Sequence, residues 1–126
     1  MIKLTYCLRK KPGMTWEEFS DYWRNVHAPL VAERAEVLGI KRYVQVRTQQ
    51  NPELHARMQA RNDGSPEPFD GIAELWYEPA ERGAGGEDAR RAARELLEDE
   101  RNFIDLQNSP IWYGEEWEVV PERQGS

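Results

Sequence analysis

The 126-residue sequence has a single cysteine, Cys7, and only two histidines, His27 and His55. One cysteine rules out an internal disulfide and offers no cluster for a structural metal, so a reducing compartment is its natural setting. Two histidines, one of them in a polar stretch, fall short of the three protein ligands usual at catalytic zinc, and no metal is expected. Long apolar runs are missing too. None approaches the ~20 residues that span a bilayer, and the first residues lack the charged-then-apolar plan of a secretion signal. The expectation is a soluble, cytoplasmic protein with no membrane partner. Basic excess is also absent: 17 basic residues are scattered among 23 acidic ones, which argues against nucleic acid as a partner. The length suits one domain with one core.

Aromatic residues, by contrast, are plentiful, with five Trp and five Tyr. Several stand beside polar residues in strand-like segments, a combination that suits a ligand pocket as well as a core. Ile2 to Arg9 reads as a first strand and Lys10 to Gly13 as a turn. Thr15 and Glu18 have the spacing of a capping box. From there Trp16, Phe19, Trp23, Val26, His27 and Leu30 recur at helical spacing as one buried face. Pro29 lacks an N–H for the Asn25 carbonyl and restricts Ala28, so the helix should end or kink at His27. A second helical stretch runs from Leu30 to Leu38, with Gly39 placed to cap it.

Ile40 to Thr48 reads as the second strand. Residues 51–68 are polar, with a short helix over Pro52 to Arg61 and a turn-rich NDGSPEP, and read as an insertion or flap. Phe69 to Glu78 gives the third strand. GAGG then leads to a long helix from Glu87 to about Leu106, with a stripe of Ala89, Ala92, Ala93, Leu96, Glu100, Phe103 and Ile104. Ile111 to Val120 makes the fourth strand, and residues 122–126 a flexible tail after a domain of residues 1–121. The order βαββαβ predicts an α+β, ferredoxin-like protomer: a four-stranded antiparallel sheet with two helices on one face. Its other face needs a cover, which a twin forming a dimeric α/β barrel would supply.

The segments KKPGMTWEEFSDYWRNVHAPLV, FDGIAELWYE and DERNFIDLQNSPIWYGEEWEV together resemble the EthD family of dimeric α+β barrel proteins. The likeness covers nearly the whole chain apart from 51–68 and the tail. It implies a ferredoxin-like protomer, a homodimer and no obligatory cofactor. Relatives are tied to alkyl ether breakdown, and others are similar to dehydratases, cyclases or isomerases acting on polyketide and lactone intermediates. Fold alone does not choose among these chemistries.

His27 leads the candidates for chemistry. It lies on the apolar stripe beside a helix end, where the dipole favours the protonated ring and burial opposes it. It either exchanges protons near neutral pH or donates to carbonyls freed at the break. The resemblance adds that related barrel isomerases place a histidine similarly, and that heme-degrading barrels make His27 as an axial ligand a minor alternative. Asp70, at the mouth of the third strand, could orient His27, or simply make an Asp-Gly turn.

Strand alternation groups Asp70, Ile72, Glu74 and Trp76 on one face. Glu74 in mid-strand therefore needs a partner or a proton, catalytic in one reading and paired with Arg42 or Arg47 in the other. Tyr6, Trp23, Tyr43, Trp76, Trp112 and Tyr113 are candidates to stack on a flat substrate. Cys7 reads as an inert buried thiol and His55 as exposed. The leading function is a cofactor-independent enzyme doing proton-transfer chemistry (dehydration, cyclisation or isomerisation) on a polyketide-like, aromatic or lactone intermediate. The rival is a binding or chaperoning module for a hydrophobic intermediate.

Overall fold

In a computed structural model that describes residues 1–78 and 86–125, the chain forms four strands and four α-helices. These are β1 (Ile2–Leu8), α1 (Trp16–Tyr22), α2 (Ala28–Leu38), β2 (Ile40–Arg47), α3 (Pro52–Arg61), β3 (Gly71–Tyr77), α4 (Gly86–Glu100) and β4 (Ile111–Glu115). The strands make one sheet in the order β2-β3-β1-β4, with every neighbouring pair antiparallel. The expected α+β, ferredoxin-like protomer is therefore present.

The start of α1 follows from its capping box. The Thr15 hydroxyl accepts from Glu18 N at 3.1 Å, and the Glu18 carboxylate accepts from Thr15 N at 2.8 Å. The expected break at His27 does not occur. Trp23–His27 form a π-turn that carries α1 straight into α2. Ala28 keeps helical angles (φ −56°, ψ −45°), and its N–H reaches back to the Trp23 carbonyl. The wider turn shifts the hydrogen bonding by one residue just before Pro29. The proline then follows that turn directly, in the first turn of α2. Gly39 ends α2 with φ +73°, as its position suggests.

Other boundaries moved as well. The last helix ends at Glu100, six residues early, because the chain turns back to bridge the segment after β1. There Lys11 N donates to Phe103 O at 2.9 Å, and Asp105 N to Arg9 O at 2.9 Å. β4 stops at Glu115 rather than Val120, leaving Trp117, Val119 and Val120 exposed. The GAGG turn lies largely outside the described residues. The 51–68 segment does contain the short helix. Asn51 caps it, and the Arg9 guanidinium holds the Pro68 and Glu67 carbonyls at 2.6 and 3.2 Å.

Alternation along the strands divides the sheet. Ile2, Leu4, Tyr6 and Leu8, with Tyr43, Gln45, Ala73, Leu75 and Tyr77, face α2 and α4. Lys3, Thr5, Arg42, Val44, Val46, Ile72, Glu74, Trp76 and Trp112 face the other way. The core on the helical side joins Tyr6, Leu8, Phe19, Trp23, Ala73, Leu75, Phe103 and Ile104. Burying each large apolar side chain here contributes about 1.5–3 kcal/mol. Phe19 stacks between Trp23 and Phe103, with ring centroids 5.5 and 5.8 Å apart. Trp23 fits only because residue 71 is glycine: a Cβ there would lie 2.5 Å from Trp23 Cζ3.

Candidate active site

Between the helices and the inner face of the sheet lies a cavity of about 750 Å³. Its walls are largely apolar, with Leu4, Val31, Ile40, Leu75 and Leu96 among them, and the polar groups Tyr6, His27, Tyr43 and Glu100 reach it from four different elements. Arg90, exposed and paired with Glu87 at 3.0 Å, stands at its edge. No residue of 51–68 is among those that line the cavity.

The π-turn aims His27 inward. Its ring packs on Phe103, with centroids 5.0 Å apart, and Nδ1 meets Asp99 Oδ2 at 2.8 Å. Asp99 is held in turn by the Tyr22 hydroxyl, which donates to Oδ1 at 2.6 Å, while Asn102 donates to Tyr22 at 3.1 Å. Burial would raise the Asp99 pKa, but the bonds from Tyr22 and His27 outweigh it and hold it below the ordinary carboxylate value. Burial lowers the His27 pKa more than the Asp99 charge raises it. At neutral pH the pair is therefore a carboxylate and a neutral imidazole that donates Nδ1–H, leaving the lone pair on Nε2. Among the described residues no partner meets Nε2 and no buried side-chain nitrogen or oxygen lacks one, so Nε2 opens to the cavity.

In the same cavity the Tyr6 hydroxyl donates to Glu100 Oε1 at 2.9 Å. Burial first, and the nearby Asp99 charge next, push the Glu100 pKa up to about 7 against a lowering bond from Tyr6. Burial and the Glu100 carboxyl hold the Tyr6 phenol well above its ordinary value, so it stays protonated. Tyr43 accepts a bond from Gln45 Nε2 at 2.8 Å, and Gln45 also donates to the Trp23 carbonyl at 3.0 Å. Burial raises the Tyr43 pKa despite that donated bond. Its own hydroxyl proton is thus available to an oxyanion in the cavity.

Of the residues singled out in the sequence, the structure brings His27, Tyr6, Trp23 and Tyr43 to one cavity, with Tyr113 beside them. It separates the others. Asp70 does not meet His27: its carboxylate accepts from Lys10 N at 2.8 Å, and its carbonyl accepts from Trp16 Nε1 at 3.1 Å, tying the end of β1 to the start of α1. Glu74 lies on the opposite face of the sheet, bound to Lys3 at 2.6 Å rather than to Arg42 or Arg47. Trp76 shares that face, with Lys3 and Arg42 against its ring at 4.9 and 4.7 Å and Glu116 accepting its N–H at 2.6 Å. Trp112 is also there, half exposed. Cys7 is buried, and His55 Nε2 meets the Gln49 carbonyl.

Asp99 and Glu100 had not been singled out as chemical. Glu100 carried a readable signal, a carboxylate on the apolar stripe between Leu96 and Phe103. Among the described residues no three His, Cys, Asp or Glu side chains gather to hold a metal, and no helix is long and apolar enough to cross a membrane.

The family model for the EthD domain matches residues 11–107, a span that contains His27, Asp99 and Glu100. The chain belongs to the EthD family. Its fold is shared by an ethyl tert-butyl ether D (EthD) family protein from Bacillus halodurans, 18% identical with a TM-score of 0.57, covering 93% of this chain and 99% of that one. HapK from Hahella chejuensis is 11% identical with a TM-score of 0.60, covering 98% and 99%. An EthD-like protein from Ralstonia eutropha is 18% identical with a TM-score of 0.54, covering 98% and 95%. No curated protein matches significantly. At such identities the likeness of this EthD chain to the solved structures is one of fold.

Proposed function

We propose that this EthD-family protein is a cofactor-independent enzyme that moves a proton next to a carbonyl in a hydrophobic, ring-bearing substrate, of the polyketide-like, aromatic or lactone kind. The observation that carries this reading is the Asp99–His27 pair, which leaves a neutral imidazole nitrogen open to a mostly apolar cavity. Asp99 fixes the tautomer and stabilises the imidazolium that forms when Nε2 takes a proton. Tyr43 donates to the enolate oxygen. Low polarity around the site strengthens both interactions. In this reading Asp70 and Glu74 hold the fold, and Trp76 and Trp112 belong to an interface rather than to the substrate.

That interface is with a second copy. The outer face of the sheet carries Val46, 43% exposed, and Trp112, 50% exposed, and Trp117, Val119 and Val120 lie bare beyond β4. A homodimer covers both sets. A cytoplasmic setting agrees with the free thiol of Cys7.

The test uses α-tetralone, a bicyclic aromatic ketone with an acidic C–H beside the carbonyl. In D₂O the protein should catalyse deuterium uptake at that carbon, and His27→Gln should lower the rate by about 10²- to 10⁴-fold. Binding of α-tetralone without exchange would favour the carrier reading instead.

A further inference from the structure

The geometry points to Glu100 as the acid that partners His27, and so to dehydration of a β-hydroxy ketone as the reaction. That assignment rests on the proton-transfer reading above and deepens it.

Glu100 and His27 face the same cavity, and Asp99, which holds His27, is the residue next to Glu100 on α4. The end of α4 therefore carries both the acid itself and the residue that holds the base on the π-turn. The Tyr6 hydroxyl occupies Glu100 Oε1 as a donor. A carboxyl proton then resides on Oε2, which among the described residues has no partner and, since no buried side-chain oxygen there lacks one, is not sealed from the cavity that Glu100 lines. The surroundings favour the protonated form. Tyr6 on β1 and Tyr43 on β2 are neutral phenols, His27 is neutral, and Asp99 is negative, with Arg101 the opposing positive charge. A neutral acid and a neutral base facing one cavity is an arrangement that enolisation alone does not require. Elimination of water requires both.

The step balances within those two groups. Nε2 of His27 takes the proton from the carbon beside the carbonyl, and that electron pair becomes the new C=C bond as the β C–O bond breaks. The leaving hydroxyl takes the Glu100 proton and departs as water. The imidazolium then loses one proton to solvent and the carboxylate regains one, so the enzyme is restored with no net change. The apolar walls fit a ring system that becomes conjugated or aromatic as water leaves.

The experiment pairs two probes: α-tetralone, which reports C–H exchange only, and its β-hydroxy derivative, which loses water to give the naphthol. The parent protein should exchange the first and dehydrate the second above the buffer rate, with dehydration falling as pH rises through about 7. Glu100→Gln keeps the size of the side chain and an acceptor for Tyr6. It should lower dehydration by about 10²-fold or more and exchange by less than about tenfold. Glu100→Asp should restore part of the dehydration rate. Dehydration by Glu100→Gln at the parent rate, equal loss of both rates, or a parent that exchanges without dehydrating would each overturn the role of Glu100 while leaving His27 in place. A parent that exchanges neither probe overturns the underlying reading.

Discussion

His27 Nδ1 and Asp99 Oδ2 stand 2.8 Å apart, joining the π-turn after α1 to the end of α4 across 72 residues of sequence. This contact sets which nitrogen of the ring is open to substrate. Asp99→Asn keeps the shape but removes the charge and can present a donor to Nδ1, which would favour the wrong tautomer. Exchange of α-tetralone should fall by about 10²-fold or more, and the pH at which the remaining activity rises should move down, because the charge that supports protonation of His27 is gone. Unchanged activity together with an unchanged pH profile would reduce Asp99 to a packing role.

Glu100 makes stability depend on pH in the sense opposite to an ordinary carboxylate. Its pKa rises from 4.5 to about 7 on folding, so the native state binds more protons between those values. Stability is fully present below about 4.5 and is lost as pH rises through about 7, by about 3 kcal/mol at most. His27 acts the other way: its lowered pKa means that stability declines as pH falls below the ordinary histidine value. Urea titrations should show Glu100→Gln matching the parent near pH 4.5 and exceeding it at pH 8, with the alkaline decline removed. An alkaline decline that persists in the variant would show that another group is responsible.

The sheet and its helices were legible because period and turn chemistry are local. Alternation placed Glu74 and Trp76 on a shared face, and the Thr15–Glu18 box marked the start of α1. The partner of His27 was not legible. Asp70 and Asp99 are both acids at element ends, and only the register of β1 against β3 and the length of α4 decide which one reaches the ring. Helix continuity past Pro29 was missed for a related reason. Proline forbids one hydrogen bond but not the wider turn that does without it, and burial of Trp23 and His27 on the same side rewards that turn.

Gly71 is a point of close approach between sheet and helix. A Cβ there would meet Trp23 Cζ3 at 2.5 Å and the Val46 carbonyl oxygen at 3.2 Å, and Trp23 is 1% exposed. Gly71→Ala should cost about 1–3 kcal/mol. Displacing Trp23 also disturbs the carbonyl that Gln45 holds, and through Gln45 the Tyr43 hydroxyl. Chemical denaturation and α-tetralone exchange should therefore worsen together. A variant with parental stability would mean that the π-turn yields more easily than its packing implies.

The outer face of the sheet should be buried by a second copy even though it carries charge. Lys3 is already bound to Glu74 and packed on Trp76, whose other neighbours are Arg42 and Glu116. In that cluster Lys3 is paired with Glu74, and two cations stand beside two carboxylates, so covering it buries no net charge and desolvation there costs less than it would for lone charges. Around it Val44, Val46, Ile72 and Trp112 supply apolar area, and a stable interface of this kind buries about 1,600 Å² in total. Sedimentation at micromolar concentration should find a dimer, and Val46→Lys or Trp112→Lys should give monomers with a lower Tm. The cavity lies on the opposite face, so the dimer supports catalysis through stability rather than through substrate contact. Loss of dimerisation should then lower Tm while leaving exchange per folded protomer within about tenfold at a temperature where both forms are folded. A parent that sediments as a stable monomer would refute the interface.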